Sequence, residues 1–182
     1  MNVVLDTSLL LVLVDPNVPI PPDSSGKPYE NAREKLNLLV ADLQKNHRKI
    51  LIPTPVLAEL VWLAEKAGPD YAALFNKYGG VFEVVPFDQR AAIELAMMTA
   101  AAKKAGSIRA GSTESMAKIK FDRQIVATAK VNRVAAIYTC DKNLKKFADD
   151  NDLETVHLSD MPLPAKDAQG SLNLGKSDEA NP

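Results

Sequence analysis

Residues 1–15 read MNVVLDTSLLLVLVD, and the short apolar run near their start stops at Asp6. An apolar run at 2–5 that is closed by a charged residue predicts a buried β-strand. The second apolar segment, 9–14, is far shorter than the roughly 18 residues that a membrane-spanning helix needs. The stretch also lacks the basic segment that begins a secretory signal peptide. We therefore expect a soluble, cytoplasmic protein with no membrane partner, built on a buried first strand.

Short apolar runs and helical patterns alternate along the rest of the chain. Further strands are predicted at residues 49–52, 81–85, 134–138 and 154–158. Helices are predicted at residues 30–45, 55–66, 69–78, 88–105, 117–132 and 141–149. Buried strands that alternate with helices form a mostly parallel sheet that is covered on both faces. The predicted fold class is therefore α/β, a three-layer α/β/α sandwich with a central, mostly parallel sheet.

Length and composition favour one domain followed by a tail. The chain has 182 residues, 46% of them apolar, which is enough to bury a core and excludes collagenous, coiled-coil and fully disordered classes. The sandwich is predicted to span residues 1–161. Residues 162–182 are rich in Pro, Gly, Ser and Asp and are expected to form a disordered tail. The single cysteine, Cys140, cannot form an internal disulfide, which suits a reducing compartment.

The formal net charge of -1 conceals an uneven distribution along the chain. Residues 1–100 carry a net charge of -3, residues 101–146 carry +8, and residues 147–182 carry -6. A near-neutral total would argue against a nucleic-acid-binding protein, which usually has a basic surplus. The basic block at 101–146 instead indicates a surface that could face a polyanion.

Two aspartates follow predicted strands at the edge of the sheet where ligands collect. Asp6 follows the first strand, and Asp141 follows the strand at 134–138. Two carboxylates that meet there repel each other unless one is protonated or a cation lies between them.

Two further acids have both a functional and a structural interpretation. Glu59 is the only polar side chain in the segment 56–64, so it is either a buried carboxylate that needs a cation or a residue on a narrow solvent stripe. Asp122 precedes an apolar helical stripe, and it is either a site residue or an acid that the helix dipole favours. Trp62, on the same segment as Glu59, is expected to fill the core.

Four short motifs occur in an order that resembles a known family. They are VVLDTS at 3–8, IPTPVLAEL at 52–60, Asp122 with IVATA at 125–129, and TCD at 139–141. Together they resemble the PIN domain, the fold of VapC-type toxin ribonucleases, over residues 2–158. The resemblance implies that Asp6, Glu59, Asp122 and Asp141 are catalytic residues that bind Mg²⁺ or Mn²⁺. Carboxylate oxygens without His or Cys are the ligands that these ions prefer.

The resemblance also implies residues that assist the four carboxylates. Ser8 and Thr139 would orient carboxylates, and Asn143 would be an auxiliary contact. Lys118 and Arg123 lie close to Asp122 in the sequence and are expected to bind the substrate backbone. Three segments depart from a compact toxin: the Pro-rich stretch 15–27, the loop 106–115 and the tail.

The expected function is that of a metal-dependent endoribonuclease, the toxin of a type II toxin–antitoxin pair. RNA is then the substrate, a cognate antitoxin the partner, and a homodimer the expected assembly, with the Ala/Met-rich segment 91–102 as packing or dimer surface. The alternative is a catalytically idle PIN-like module that binds RNA or protein. An aspartate-based phosphatase is disfavoured because Ser8 stands where it needs a second Asp. A P-loop or dinucleotide-binding enzyme is unsupported because no Gly-rich phosphate loop occurs. A Cys–His nucleophile is disfavoured because no motif links either histidine to Cys140.

Overall fold

A computed structural model of the chain describes residues 1–15, 17–23, 25–65, 78, 80–106, 108–109 and 112–163. Within these ranges, five strands are present: β1 (Val3–Leu5), β2 (Ile50–Pro53), β3 (Phe82–Val85), β4 (Ile137–Thr139) and β5 (Thr155–His157). The described helices are α1 (Thr7–Val14), α2 (Ala32–Lys45), α3 (Thr54–Glu65), α4 (Gln89–Lys104), α5 (Met116–Val131) and α6 (Lys142–Asp149). A short 3₁₀ helix, Leu158–Asp160, follows β5.

The strands form one parallel sheet in the order β3-β2-β1-β4-β5. β1 lies at the centre, and its residue Leu5 pairs with Tyr138 of β4. Strands β1 and β2 are apolar throughout and buried on both faces, as a parallel sheet between helical layers requires. The predicted three-layer α/β/α fold is confirmed, and its sheet is parallel at every described pairing.

Polar cap residues fix where several helices begin. The side chains of Asp6, Asp88, Ser115 and Asp141 each accept a hydrogen bond from a backbone N–H in the first turn of the helix that follows. Such caps satisfy donors that the helix itself cannot pair. Two of these caps, Asp6 and Asp141, follow β1 and β4, so the same residues lie at the carboxyl edge of the sheet and begin a helix.

The boundaries differ from the predictions in informative places. The helix α1 immediately after Asp6 was not among the predicted helices. Strand β4 occupies only the end of the predicted run 134–138 and continues to Thr139. Trp62 was expected in the core, but its side chain is 55% exposed, so this expectation was wrong. The ends of the elements and the burial of their side chains depend on strand pairing and packing. Both involve residues that are far apart in the sequence.

Some predictions fall wholly or partly outside the described residues. The predicted helix at 69–78 lies there except for Tyr78, and so does the tail beyond Leu163. The Pro-rich stretch is described except at residues 16 and 24, and the Arg33 guanidinium of α2 donates hydrogen bonds to its carbonyls at Asp15 (3.1 Å) and Val18 (2.6 Å). Among the described helices, none has the length and apolar character needed to cross a membrane.

Candidate functional site

A cavity of about 510 Å³ opens at the carboxyl ends of β1 and β4. Its polar lining consists of Asp6, Thr7, Ser8, Glu59, Lys118, Asp122 and Asp141. Its apolar lining includes Leu11, Leu63, Phe121, Ile125 and Leu144. The four acids identified in the sequence therefore lie around a single cavity, supplied by the ends of two strands and by helices α3 and α5.

Asp6 is a buried carboxylate held by three donors. Its Oδ1 accepts a hydrogen bond from the Leu9 N–H (2.8 Å), and its Oδ2 accepts one from the Thr139 hydroxyl and one from the Cys140 N–H (3.3 Å). Burial raises the pKa of Asp6, and the negative charge of Asp141 raises it further. The three hydrogen-bond donors lower it by less, so the pKa lies above its ordinary value. The carboxylate is thus rigidly positioned in surroundings that favour a nearby cation.

Asp141 begins helix α6 with one oxygen and faces the cavity with the other. Its Oδ1 accepts hydrogen bonds from the N–H groups of Asn143 (2.7 Å) and Leu144 (3.2 Å), while its Oδ2 pairs with the Lys118 ammonium. Burial raises the pKa of Asp141, but the bond and charge of Lys118 and the two helix donors outweigh it, so the pKa lies below its ordinary value. This carboxylate is held ionised.

Asp122 lies on α5 and is 8% exposed. Burial, together with the charges of Asp141 and Asp6, raises its pKa to about 6, and Lys118 acts against this rise. The residue lies beyond the first turn of α5, where the helix dipole has little effect. The dipole interpretation of Asp122 therefore does not apply, and its carboxylate belongs to the cavity.

The Lys118 ammonium lies between two of the carboxylates. Its Nζ is 3.2 Å from Oδ2 of Asp122, one helical turn along α5, and pairs with Oδ2 of Asp141. Burial lowers the pKa of Lys118, but the hydrogen bonds and charges of the two aspartates raise it well above its ordinary value. The cation that the sequence analysis assigned to substrate binding is, in this structure, bound to the site's own acids.

Glu59 faces the cavity from α3 and is half-buried. Within the part of the chain that the structure describes, its carboxylate has no hydrogen-bond or ion-pair partner. Ala58, Val61 and Trp62 of α3 are exposed, so the solvent-facing side of this helix is apolar. Glu59 lines the cavity with the other three acids, beside that exposed apolar face.

The hydroxyls around Asp6 have different environments. Thr139 is fully buried, donates to Asp6, and accepts a hydrogen bond from the Asp141 N–H (2.9 Å), so it links two of the acids. Ser8 is exposed at the cavity wall. Thr7, which the sequence analysis did not select, is buried there, and its Oγ1 has no partner among the described residues. The only feature of the sequence that could have identified Thr7 is its position directly after Asp6.

Asn143 and Arg123 lie around a second, much smaller cavity, about 20 Å³ in volume. Asn143 contacts Asp141 through its backbone N–H. Arg123 is 3% exposed, its guanidinium lies 4.7 Å from the centre of the Phe147 ring, and it donates to the carbonyl of Ile108. This burial argues against the expected contact of Arg123 with the substrate, because adjacent positions on a helix point in different directions.

The basic block at 101–146 does not form a continuous rim around the cavity. Lys130 pairs with Glu94 (3.1 Å), and Lys145 pairs with Asp149 (2.7 Å). Of the basic residues in the described part of the chain, Lys118 is the one that lines the main cavity. Other members of the block, such as Lys142 at the start of α6, are exposed. Some basic residues of the block are therefore engaged in ion pairs within the protein, and others are exposed to solvent.

The donor set of the main cavity fits a hard divalent cation. Its acids are carboxylates, and neither His nor Cys lines it. The raised pKa values of Asp6 and Asp122 and the unpaired Thr7 hydroxyl also indicate a place that a cation would stabilise. Nevertheless, in the described residues no three His, Cys, Asp or Glu side chains converge closely enough to hold a metal. The Lys118 ammonium instead contacts two of the carboxylates, those of Asp122 and Asp141.

Comparisons with known proteins agree with this arrangement. A family model described as PIN domain matches residues 3–150. The fold is similar to a crystal structure of VapBC2 from Rickettsia felis bound to a promoter DNA fragment, with a TM-score of 0.60 and 14% identity over 86% of this chain and 98% of that chain. Comparison with curated proteins gives no significant match.

Two further solved structures are similar. DNA-bound VapBC from Salmonella typhimurium aligns with a TM-score of 0.55 and 21% identity, covering 87% of this chain and 98% of that chain. VapBC-1 from nontypeable Haemophilus influenzae aligns with a TM-score of 0.52 and 16% identity, covering 87% and 99%. At these identities the likeness concerns the fold.

Proposed function

Because the chain belongs to the PIN-domain family, we propose that it is a Mg²⁺- or Mn²⁺-dependent endoribonuclease, and that it acts in the cytoplasm as the toxin of a type II toxin–antitoxin pair. The observation that carries this proposal is the cavity lined by Asp6, Glu59, Asp122 and Asp141 at the carboxyl edge of the sheet. Four carboxylates around one open cavity repel each other and so destabilise the fold, and a cation that binds there offsets this repulsion.

In this proposal Asp6 and Asp141 hold the ion directly, and Glu59 and Asp122 complete its surroundings directly or through water. The chemistry that a bound ion supplies is a water of lowered pKa and compensation of negative charge on the phosphate. Thr139 keeps Asp6 in place by its hydroxyl hydrogen bond. The apolar wall at Leu11, Leu63 and Phe121 limits water around the reacting groups.

RNA is the substrate that the family membership favours. A phosphodiester backbone that approaches four carboxylates is repelled unless cations lie nearby. Lys118 in the cavity and the exposed Lys142 beside Asp141 are the cations best placed to serve. Binding is therefore expected to weaken as salt concentration increases.

An antitoxin and a second copy of the chain are the proposed protein partners. The three similar solved structures are VapBC structures, which supports an antitoxin partner. On α3, the exposed Val61 and Trp62 adjoin the cavity residues Glu59 and Leu63, so a partner covering this apolar face could also block the site. Exposed Ile93 and Met97 on α4 are the proposed dimer contacts.

A catalytically idle module that binds RNA or protein is the second candidate. The observation that favours it is the lack, in the described residues, of three acids already converged for a metal. Salt-sensitive RNA binding without metal-dependent cleavage would support this alternative.

The deciding experiment compares cleavage of single-stranded RNA by the wild type and by Asp141→Asn, with Mg²⁺, with Mn²⁺ and with EDTA. Asparagine still caps α6 through its Oδ1, so this variant removes charge while leaving the helix start intact. Asp88→Asn is the matched control, because Asp88 caps α4 away from the cavity. We expect metal-dependent cleavage by the wild type and the control only. Equal cleavage by Asp141→Asn would contradict the proposed role of the cavity.

A further inference from the structure

The Lys118 ammonium lies where the proposed divalent ion would bind. A cation lies on Asp122 and Asp141, two of the four acids proposed to hold a divalent ion. Two like charges cannot share one small group of carboxylate oxygens without strong repulsion. Either the ammonium leaves when the metal binds, or the metal site lacks these two acids.

The lysine side chain has room to leave. It is 38% exposed, and it reaches the carboxylates from α5 along the wall of the open cavity. A lysine ammonium on a flexible four-carbon chain can change partners without a change in the backbone. Its starting point on the helix keeps it at the cavity after it leaves the carboxylates, where a substrate phosphate would be its next anionic partner.

We propose that Lys118 is an internal counter-ion that competes with the divalent ion for Asp122 and Asp141, and that binds a phosphate of the RNA once it is displaced. This inference rests on the proposed function. In the metal-free protein the lysine neutralises the acids and keeps the fold stable. In the metal-bound enzyme the same ammonium contacts a phosphate of the substrate. Metal affinity is therefore lowered by Lys118, whereas RNA affinity is raised by it.

The two halves of the proposal predict effects of opposite sign for one variant. Lys118→Met keeps the length of the side chain and removes the charge. Without RNA, this variant should bind Mn²⁺ about tenfold more tightly than the wild type, since an ion pair of moderate exposure no longer has to be broken. At saturating Mn²⁺, its KM for a fluorescent single-stranded RNA oligonucleotide should rise about tenfold.

Two control variants separate this proposal from general charge effects. Lys120→Met removes the same charge from an exposed position on the same helix, so its Mn²⁺ affinity should match that of the wild type. Lys118→Arg retains a cation beside the carboxylates and should remain near the wild-type Mn²⁺ affinity. Circular dichroism melting of each variant establishes that it is folded. A purely structural role for Lys118 would lower the melting temperature without raising the affinity for Mn²⁺.

The test is a calorimetric titration with Mn²⁺ alone at pH 8, followed by steady-state cleavage. Tighter binding by Lys118→Met together with a raised KM supports the proposal. Unchanged or weaker Mn²⁺ binding by Lys118→Met, in a wild type that binds the ion, overturns the counter-ion role and leaves the proposed function standing. Tighter Mn²⁺ binding with an unchanged KM overturns the phosphate contact. Absence of Mn²⁺ binding in every variant overturns both the proposed metal dependence and this inference.

Discussion

The hydroxyl of Thr139, at the end of β4, donates a hydrogen bond to Oδ2 of Asp6, which follows β1, and so joins residues 133 positions apart in the sequence. The same hydroxyl oxygen accepts a hydrogen bond from the Asp141 N–H. One buried side chain therefore sets the orientation of a carboxylate on one strand end and the start of the helix on the other. The pairing of adjacent parallel strands brings these groups together.

Thr139→Val should retain the fold and impair the site. Valine has the same shape but lacks the hydroxyl, so Asp6 loses a donor and the Asp141 N–H loses its acceptor. Outer hydrogen bonds of this kind typically affect metal affinity or activity by about 10–100-fold. We expect cleavage and Mn²⁺ affinity to decrease within that range, measured by RNA cleavage and calorimetry. Thr139→Ser, which keeps the hydroxyl, should remain within a few-fold of the wild type, and a large loss there would indicate packing instead.

Cys140 should be unreactive toward alkylation in the folded protein. Burial raises the pKa of its thiol to about 12, and the charges of Asp6 and Asp141 contribute to the rise. At pH 8 almost none of the reactive thiolate is present, so we expect little modification by iodoacetamide in native buffer and rapid modification in urea. Mass spectrometry of both samples measures this difference. Rapid native labelling would revive the interpretation of Cys140 as a nucleophile.

The sheet and two of the four acids were predictable because they depend on local signals. Apolar runs that end in an acid place Asp6 and Asp141 at the carboxyl ends of strands, and parallel pairing then makes those ends neighbours. The helical spacing of four residues likewise puts Lys118 and Asp122 on one face. Each of these inferences needs only the chain direction and the period of a helix or strand.

The remaining features of the site depend on packing, which the sequence does not reveal. Asp122 and Arg123 are adjacent, yet one lines the main cavity while the other is buried against Phe147 and Ile108. The contact between Lys118 and Asp141 joins residues 23 positions apart in the sequence, and no motif indicates it. Trp62 was predicted to be buried because an apolar side chain on the surface of a helix has the same sequence signature as one in the core.

Arg123→Met should lower stability without weakening RNA binding directly. The guanidinium packs on the Phe147 ring and donates a hydrogen bond to the Ile108 carbonyl, so its loss removes contacts that join these two residues to α5. We expect a destabilisation of about 1–3 kcal/mol, seen as a lower urea midpoint. The slope of log RNA affinity against log salt concentration should stay unchanged, since a residue that contacts no phosphate releases no counterion. A decrease of about one in that slope would restore the substrate-binding role.

Asp122→Asn should stabilise the metal-free protein at neutral pH. The pKa of Asp122 is raised from 3.8 to about 6, chiefly by burial, so between these values the folded state binds more protons than the unfolded state. The contribution of this group to stability is therefore fully present below pH 3.8 and is lost as the pH rises to about 6. An asparagine side chain does not ionise, so the variant does not lose this stability as the pH rises.

The expected gain for Asp122→Asn above pH 6 is about 1–2 kcal/mol, which corresponds to a Tm increase of roughly 2–8 °C for a chain of this size. Thermal melts of EDTA-treated wild type and variant at pH 4 and pH 7.5 measure it. The two proteins should melt close together at pH 4, where Asp122 stays protonated in the folded state and is still partly protonated in the unfolded state. Comparing variant with wild type cancels the opposite contribution of Asp141, whose pKa is lowered. A lower Tm for the variant at pH 7.5 would mean that the ion pair with Lys118 outweighs the cost of burying the charge.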